Sequence, residues 1–337
     1  MTETIMRKVS INDILYEKVA TWYTPIKGDE YMRQKLALIG TGVVGERILR
    51  EATQQATYEI VGIFDENKER MNELAEKYDV HAMESLEALL DEQPDWVYIG
   101  TPPISHAPLT EAIAKRGFAI LSEKPLAHDA ADGEKMVAAV QQYGVNNAMH
   151  FPMMYSDEVA VLREAVREEK LGTILSVECH AHFPTWPRPW QQNEWIATRA
   201  QGGFIREIFP HYLQLTDHLF GDLQWTGHQT QYPEDPSRCE TGTMAIGQTT
   251  SGIPVLFNAS SGAAQIERIE YRVIGSEKVM TIRNWGELWI SEKEAEEKII
   301  HCGQLGNSFL KAIATGGLRV SFADGARIQC WIDELLQ

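Results

Sequence analysis

The stretch KLALIGTGVVGERILREAT, residues 35–53, predicts a buried strand that leads directly into a helix. Gly40, Gly42 and Gly45 give the spacing GxGxxG at the point where the strand meets the helix. The first glycine permits a tight turn, the second lets the backbone approach a pyrophosphate, and the third allows close helix–strand packing. The stretch therefore predicts a dinucleotide-binding turn, with phosphates held at the helix N-terminus. The residues expected to hold them are Gly40, Thr41, Gly42, Val43 and Val44.

An acidic residue ends the second strand of the same unit. The strand YEIVGIFD covers residues 58–65, and Asp65 follows Gly45 by twenty residues. A carboxylate at this position accepts hydrogen bonds from the ribose hydroxyls of NAD and repels the 2′-phosphate of NADP, and Glu66 adds to the repulsion. We therefore expect NAD as the cofactor in preference to NADP. The alternative is a glycine-rich turn of an α/β domain that binds no nucleotide.

The pattern of strands and helices changes once along the chain. From residue 35 to 151 strands alternate with helices, which predicts βαβ units and a parallel sheet, a Rossmann domain in an α/β protein. Over residues 152–337 short strands of period two dominate, which predicts an α+β domain with a mainly antiparallel sheet. The last helix of this segment either stays with the second domain or packs against the first. Residues 1–34 form an N-terminal extension, either with a helix at 11–23 or as an over-extended start.

The composition excludes several kinds of partner. The formal net charge is −17, from 31 basic and 48 acidic residues, whereas nucleic acids and anionic membranes need a basic patch. No apolar run approaches the roughly 18 residues of a membrane span, and the N-terminal segment lacks a signal-peptide core. The four cysteines are scattered, without the spacing of a disulfide framework or a zinc site. We therefore expect a cytoplasmic protein with no metal and no nucleic-acid or membrane partner.

Three further segments carry a family resemblance: TPPISH (101–106), SEKPLA (122–127) and GGFIREIFPHYLQLTD (202–217). Together with SFADGARIQC near the end of the chain, they resemble the glucose–fructose oxidoreductase / inositol dehydrogenase family over about residues 35–335. The resemblance implies a Rossmann domain, a mainly antiparallel αβ domain and NAD(P)-linked oxidation or reduction of sugars, cyclitols and related compounds. The cofactor contacts that it implies are Thr101, Pro102, His106, Glu123 and Lys124.

Two residues of these segments suit acid–base chemistry. Lys124 follows a predicted parallel strand, at the edge where open α/β sheets bind ligands, and could stabilise an alkoxide-like substrate oxygen. Because proline is accepted at the first helical position, Pro210 predicts a helix that starts near Phe209. His211 would then lie in the first turn, where the helix dipole favours the neutral imidazole that a general base requires. The alternatives are an exposed loop lysine and a histidine that is satisfied by local backbone.

Some positions depart from the family pattern. Glu207 stands where relatives usually have Asp, so the carboxylate either still orients His211 or the substrate, or the site is rearranged. Pro152, Met153 and Met154 replace a common Asn-Arg-Arg stretch, which removes two positive charges that often border the pocket. Arg206 either compensates for that loss or pairs with Glu207. The predicted catalytic set is Lys124, Glu207 and His211, with Arg206 and Met153 as substrate contacts.

An aromatic loop provides further candidates for the substrate pocket. The segment HFPTWPRPWQQNEW, residues 182–195, is rich in tryptophan and proline and is therefore stiff. Trp186, Trp190 and Trp195 could cover the C–H face of a sugar ring. The equal alternative is an aromatic cluster under a long loop or at a subunit contact.

These observations predict an NAD-dependent oxidoreductase that acts on a secondary alcohol or ketone of a sugar-like, polyhydroxylated small molecule. An NAD-dependent glycosidase or epimerase of the same fold is one alternative. A dinucleotide-sensing regulatory protein without catalysis is another, and the departures at Glu207 and Met153 keep it open. We expect a homodimer or homotetramer that pairs through an apolar open face of the second-domain sheet.

Overall fold

The computed structural model describes residues 33–191, 193–302 and 308–337. The N-terminal extension over residues 1–32, with the helix expected at 11–23, lies outside the described residues. The strands of the first domain are β1 (Gln34–Ile39), β2 (Tyr58–Phe64), β3 (Trp96–Ile99), β4 (Ala119–Ser122) and β5 (Asn147–Met149). Its helices are α1 (Val43–Thr53), α2 (Lys68–Tyr78), α3 (Leu86–Asp91), α4 (His106–Lys115) and α5 (Ala130–Tyr143).

The first sheet is parallel throughout, with the strand order β2-β1-β3-β4-β5. Its strands are short apolar runs because the sheet is covered by helices, and all of β3 is buried. The order reverses between β1 and β3, and open α/β sheets bind their ligands at such a switch point. The glycine-rich loop follows β1, Thr101 follows β3 and Lys124 follows β4. The fold therefore brings these candidate residues to one edge of the sheet.

The second domain is built around an eight-stranded sheet in the order β13-β12-β11-β10-β6-β9-β8-β7. Every neighbouring pair is antiparallel except β6 and β9, so the predicted mainly antiparallel sheet is confirmed. The strands are β6 (Ile174–Phe183), β7 (Leu223–Gln231), β8 (Gly242–Thr249), β9 (Pro254–Ser261), β10 (Arg268–Gly275), β11 (Lys278–Arg283), β12 (Glu287–Glu292) and β13 (Lys298–Ile300). The helices are α6 (Asp157–Arg167), α7 (Phe204–Phe220), α8 (Phe309–Ala314) and α9 (Phe322–Leu335).

One face of this sheet packs on helix α7, and the other face is open. Phe209 of the helix meets Phe257 of β9 at a ring-centroid distance of 5.0 Å, and Tyr212 stacks on Tyr271 of β10 at 5.8 Å. Alternate residues of each strand point away from this core, as the period of two predicts. The buried face therefore fixes the position of α7 above the sheet.

The open face is not uniformly apolar, so that part of the expectation is wrong. Met244 and Ile246 of β8 are exposed, but β6 and β10, on the far side of β9, carry ionic side chains. Arg272 of β10 lies 3.2 Å from Glu178 of β6, and Glu178 lies 3.3 Å from His180. Partly buried strands can carry such cross-strand charge pairs on a solvated face. The exposed apolar residues Met244 and Ile246 are therefore confined to β8, and the rest of this face is not uniformly apolar.

Helix α9 packs between the two domains. The N–H of Phe322 donates to Asn147 Oδ1 of β5 at 2.8 Å, which joins the helix start to the first sheet. Further along, Trp225 Nε1 of β7 donates to the Trp331 carbonyl at 3.1 Å. A hydrogen-bonded ion pair between Arg327 and Asp217, at 2.6 Å, links α9 to α7. The last helix thus contacts both domains.

Helix α7 begins at Phe204, so the predicted start near Phe209 is wrong. The residue before it, Gly203, has φ 128°, and a side chain there would lie 2.8 Å from a carboxylate oxygen of buried Glu240. That carboxylate accepts the N–H of Ile205 at 2.6 Å and so caps the helix. Because the cap comes from a distant part of the sequence, no nearby residue marks the start.

Pro210 therefore lies inside the helix and not at its first position. An interior proline removes one backbone hydrogen bond and pushes against the preceding turn. In that turn the carbonyl of Glu207 accepts a hydrogen bond from Lys124 Nζ at 3.4 Å. His211 follows the proline, beyond the first turn, where the helix dipole has little effect. The helix continues through the proline, and Lys124 approaches it in the turn before Pro210.

Candidate active site

The glycine-rich loop has the shape that a dinucleotide needs. Gly40 has φ 97°, and a Cβ there would lie 2.6 Å from the Gly100 backbone. A Cβ on Gly45 would lie 2.1 Å from the Gly40 carbonyl oxygen, so both positions exclude larger residues. At Gly42, by contrast, a Cβ would meet nothing within 4 Å, which leaves open space in front of the N-terminus of α1. The loop therefore fits a pyrophosphate.

Asp65 is held against this loop. Its Oδ2 accepts hydrogen bonds from Thr41 N at 2.6 Å and Thr41 Oγ1 at 2.8 Å, and Oδ1 accepts from Asn67 N at 2.8 Å. The carboxylate is only partly buried and so remains accessible to ribose hydroxyls. The same negative charge opposes a 2′-phosphate. The geometry fits the diol of an adenosine ribose.

His106 has a different role from the cofactor contact that the resemblance implies. Its side chain is fully buried, and its ring nitrogens lie 3.0 Å from the Leu126 carbonyl and 2.8 Å from the Thr101 carbonyl. Burial lowers the pKa of His106. The imidazole therefore joins the loops after β3 and β4 and positions Thr101. Pro102, beside it, is exposed.

Lys124 and Glu207 form an ion pair at the carboxyl end of the parallel sheet. Lys124 Nζ lies 3.0 Å from Glu207 Oε2, and the two side chains are only 15% and 11% exposed. Lys124 lies in the loop just after β4, and Glu207 lies on helix α7. The contact therefore joins the two domains. It also shows that Glu207 pairs with Lys124 and not with Arg206.

His211 lies beside this pair in a largely aromatic setting. Its ring meets Phe151 at 6.0 Å and Trp285 at 5.7 Å, both edge to face. Its Nδ1 atom is buried and has no hydrogen-bond partner within the described residues. Burial, together with the positive charges of Lys124, His150 and Arg188, holds the pKa of His211 well below its usual value. A neutral imidazole is expected, as predicted, but for a different reason from the helix dipole.

Behind Lys124 lies a buried hydrogen-bonded network. Glu123 Oε1 accepts from Tyr98 at 2.8 Å and lies 2.5 Å from His150 Nδ1. Burial opposes ionisation of Glu123, but the charge and hydrogen bond of His150, with the hydrogen bond of Tyr98, outweigh it and lower its pKa. Glu123 thus supports the loop that carries Lys124. His150 adds a second imidazole, which no sequence motif placed at this site.

Arg206 does not reach this site. Its guanidinium donates to the Arg199 carbonyl at 2.8 Å and the Gly202 carbonyl at 3.2 Å, and lies 3.7 Å from Asp333. Arg206 therefore binds the loop before α7 and contacts α9. Both suggested roles, the compensating charge at the pocket and the pairing with Glu207, are wrong. Met153 is buried in the short 3₁₀ helix Pro152–Tyr155, directly after Phe151.

The aromatic loop gathers around an arginine. The guanidinium carbon of Arg188 lies 5.9 Å from the Trp186 ring centroid and 4.7 Å from that of Trp190. The ring of Trp285, from the turn between β11 and β12, lies 5.6 Å from the same carbon. Trp195 lies on a separate 3₁₀ helix, and no ring contact joins it to this cluster within the described residues. The sequence singled out Trp186 and Trp190 but missed Arg188 and Trp285.

The structure describes one other cluster of metal-ligand type. His128, Asp129 and Asp132 come together at the start of α5. Asp129 accepts the Asp132 N–H at 2.8 Å as the helix cap, and Asp132 pairs with Lys135 at 2.6 Å. All three side chains are partly exposed, and helix capping and pairing account for their positions. Among the described residues no helix is long and apolar enough to cross a membrane.

Comparison with protein families matches both domains. The family model described as "Oxidoreductase family, NAD-binding Rossmann fold" matches residues 34–151. The model of the GFO/IDH/MocA C-terminal domain matches residues 159–281. The two matches follow the change of pattern between the parallel and antiparallel sheets.

Individual proteins give weaker likenesses. The chain is 27% identical to D-apiose dehydrogenase of Paraburkholderia graminis over 246 residues, 70% of this chain and 63% of that protein. It is 24% identical to inositol 2-dehydrogenase of Rhizobium meliloti over 193 residues, 57% of this chain and 56% of that protein. Both alignments cover less than two thirds of the relative's own length.

Two solved structures show the same fold. A levoglucosan dehydrogenase in complex with NADH and L-sorbose has a TM-score of 0.77 at 20% identity, covering 90% of this chain and 95% of that one. A 3-ketoreductase from Actinomadura kijaniata in complex with NADP and TDP-benzene has a TM-score of 0.77 at 19% identity, covering 90% and 96%. One of these proteins holds NADH and the other NADP.

Proposed function

Because the chain belongs to the Gfo/Idh/MocA oxidoreductase family, we propose that it transfers hydride between a nicotinamide cofactor and a secondary alcohol or ketone of a sugar or cyclitol. The observation that carries the proposal is the meeting of Lys124, Glu207 and His211 beside the carboxyl ends of the parallel strands. The names of the relatives, among them an apiose and an inositol dehydrogenase, support this substrate class.

The first domain is a nicotinamide-dinucleotide-binding Rossmann domain. The open space at Gly42 suits the pyrophosphate, and Asp65 suits the adenosine ribose. When bound, the nicotinamide supplies a hydride acceptor or donor. We propose NAD over NADP, because the Asp65 carboxylate repels a 2′-phosphate and exposed Glu66 lies next to it. The complexes of the similar structures, one with NADH and one with NADP, leave this choice to the residues of each chain.

In oxidation, His211 accepts the proton of the substrate hydroxyl. Its lowered pKa keeps the imidazole neutral at neutral pH, so its ring can take up a proton. Lys124 donates a hydrogen bond to the same oxygen and stabilises the negative charge that develops there as the proton leaves; that charge is consumed when hydride passes to the nicotinamide and the carbonyl forms. Glu207 holds the Lys124 ammonium at 3.0 Å and is therefore a positioning residue. In reduction the same groups act in reverse.

We propose further that the protein forms a homodimer or homotetramer. The support is the open face of the second sheet, which carries exposed Met244 and Ile246 on β8 and, beyond β9, the charge pairs of β6 and β10. Light scattering tests this, and a strict monomer at working concentration contradicts it. The cytoplasm stays the proposed compartment, since Cys179, Cys239, Cys302 and Cys330 are all free thiols.

A substrate panel tests the proposed activity. Purified protein with NAD is mixed with sugars, cyclitols and sugar acids, and NADH absorbance is followed. The proposal expects NADH to accumulate in proportion to substrate consumed. A glycosidase or epimerase would convert its substrate without net NADH, and a dinucleotide sensor would bind NAD without turnover. Either result would overturn the dehydrogenase assignment.

A further inference from the structure

Arg188 occupies an unusual position on the aromatic loop. Its guanidinium is surrounded by the rings of Phe183, Trp186, Trp190 and Trp285, at 4.7–5.9 Å from their centroids. Its polar partner among the described residues is the Gln191 side chain, whose Oε1 accepts from Arg188 Nε at 3.3 Å. Within the described residues no carboxylate lies close enough to form an ion pair with it. The charge is therefore partly desolvated and not neutralised by direct contact.

A second guanidinium shares one of these rings. Arg47, on helix α1 next to the glycine-rich loop, lies 5.9 Å from the Trp190 centroid, on the ring that Arg188 approaches at 4.7 Å. Arg47 likewise has no carboxylate partner in the described ranges. Each of these two like charges would normally attract a counter-ion, and the chain as a whole carries a net charge of −17. A local positive patch in so acidic a protein points to an anionic ligand.

The neighbouring carboxylates are already engaged. Glu207 pairs with Lys124 at 3.0 Å. Glu267 accepts the indole N–H of Trp285 at 3.0 Å. Both attract Arg188 from a distance, but burial outweighs that attraction and lowers the pKa of Arg188. Among the residues that the structure describes, the terminal N–H donors of Arg188 have no partner, so they are available to a ligand.

Trp285 connects this patch to the site of proton transfer. Its ring lies 5.7 Å from His211 and 5.6 Å from the Arg188 guanidinium carbon. The ring is held by a strained turn, because Asn284 and Trp285 have φ 50° and 71°, values that bulky residues rarely adopt. Such strain often persists where it positions a functional group. Trp285 therefore contacts both His211 and Arg188.

We propose that the substrate is an anionic sugar or cyclitol, whose carboxylate or phosphate group binds Arg188, with Arg47 adding to the attraction. The proposal rests on the proposed function, because it names the class of substrate for the same site. A guanidinium offers two parallel N–H donors, which match a carboxylate or a phosphate. The rings around Arg188 partly shield it from water, which strengthens such a contact. The reacting hydroxyl would lie on the His211 side of Trp285.

Binding of matched sugars tests the proposal directly. The protein with NAD is titrated with glucose, glucuronate and glucose 6-phosphate, and with galactose and galacturonate, and the fluorescence of the tryptophans around Arg188 is followed. We expect at least one anionic member to bind about 10- to 100-fold more tightly than its neutral counterpart, the range of a charge-assisted hydrogen bond. The acid and phosphate arms tell the two sources of the anion apart. Equal binding of neutral and anionic members in every pair overturns the proposal.

Three variants assign the preference to residues. Arg188→Met should abolish most of the preference for the anion and leave neutral sugars unaffected, and Arg47→Met should reduce it by a smaller factor. Arg199→Met is the matched control, because Arg199 stacks on Tyr232 at 3.8 Å and is exposed elsewhere on the surface. If Arg188→Met weakens neutral and anionic sugars equally, Arg188 only holds the loop. If it weakens NAD binding instead, its anion is the cofactor's. Both results refute the proposal.

The outcome is separable from that of the proposed function. If an anionic sugar binds through Arg188 but no sugar yields NADH, the anion site stands and the dehydrogenase assignment fails. If sugars yield NADH and Arg188→Met leaves the rates and affinities of the anionic members unchanged as well as those of the neutral ones, the dehydrogenase assignment stands and the anion site fails. Thermal unfolding of each variant identifies any that has lost its fold. If Arg188→Met has done so, Arg188→Lys, which keeps the charge, replaces it, and we expect a partial loss of the preference for the anion.

Discussion

Replacement of Glu207 by aspartate should weaken catalysis, although aspartate is the residue that relatives usually have there. In this chain the Glu207 carboxylate contacts Lys124 Nζ at 3.0 Å. Aspartate is one carbon–carbon bond shorter, about 1.5 Å, so the contact would lengthen to about 4.5 Å if the backbone stays in place. At that distance the ammonium is no longer held by a direct hydrogen bond.

The loss can be worked out from the charges. With an effective dielectric constant of about 20, the attraction falls from about 5.5 kcal/mol at the present distance to about 3.7 kcal/mol. Both side chains are largely buried, so solvent screening reduces this difference only in part. The difference of about 2 kcal/mol corresponds to an upper limit of about 20-fold in rate. We therefore expect kcat to fall by about 5- to 20-fold, with little change in the affinity for NAD.

Steady-state NADH formation on a verified substrate is the assay, with NAD affinity measured separately by titration. Asp217→Asn is the matched control, since it removes a carboxylate–arginine pair at the other end of the same helix, away from Lys124. Glu207→Gln keeps the length and removes the charge, and should also lower kcat. If Glu207→Asp retains or improves kcat, Glu207 does not position Lys124 and the reasoning is wrong.

Three other predictions follow from individual contacts. Asp65→Ser should narrow the preference for NAD over NADP by about tenfold or more, because it removes the charge that repels the 2′-phosphate. It should also weaken the binding of NAD, because Thr41 loses the carboxylate to which it donates two hydrogen bonds. Tighter binding of NADP than of NAD by the unmutated protein would contradict this. The rate of oxidation should fall only as pH drops through the lowered pKa of His211, so the midpoint of this fall in kcat lies below the usual histidine value of 6.5. The fall should be absent in His211→Ala. A midpoint above 6.5 is the contrary result. Gly203→Ala should lower the free energy of unfolding, measured in urea, by about 1–3 kcal/mol, because φ is 128° at Gly203 and a Cβ there would meet Glu240. Gly286→Ala is the control and should cost less, because nothing lies near a Cβ at that position. Equal costs would count against this account of the helix start.

The parallel sheet and its glycine-rich loop could be predicted because their signals are local. The spacing of Gly40, Gly42 and Gly45 indicates a tight turn, in which Gly40 and Gly45 leave no room for a side chain, and Asp65 follows at the end of the next strand. The alternating burial of the second-domain strands likewise appears in the sequence as period two. Such features depend on neighbours along the chain, which a sequence displays directly.

The start of helix α7 could not be predicted in the same way. Glu240 caps it from a distant strand, so the nearest visible signal was Pro210, which misleads when taken as a first helical residue. The position of His211 in the helix changed with it, and the cause of its neutral state changed from the dipole to burial. The aromatic partner Trp285 also comes from a remote turn. Tertiary contacts of this kind leave no local pattern.

The side-chain pairing within the site was open for a simpler reason. Arg206 and Glu207 are adjacent in sequence but point to different sides of the helix, since successive residues do not share a face. Glu207 meets Lys124, and Arg206 turns towards Asp333. The sequence identified the residues of the site, and only the fold could decide which of them meet.

The central claim is that Lys124 and His211 act on one substrate hydroxyl. The direct test is kcat of Lys124→Met and of His211→Ala on a verified substrate, with His218→Ala as the control at the far end of the same helix. We predict that each site variant lowers kcat by roughly 10² to 10⁴, while the affinity for NAD and the control stay near the unmutated values. Full turnover in both site variants would contradict the account.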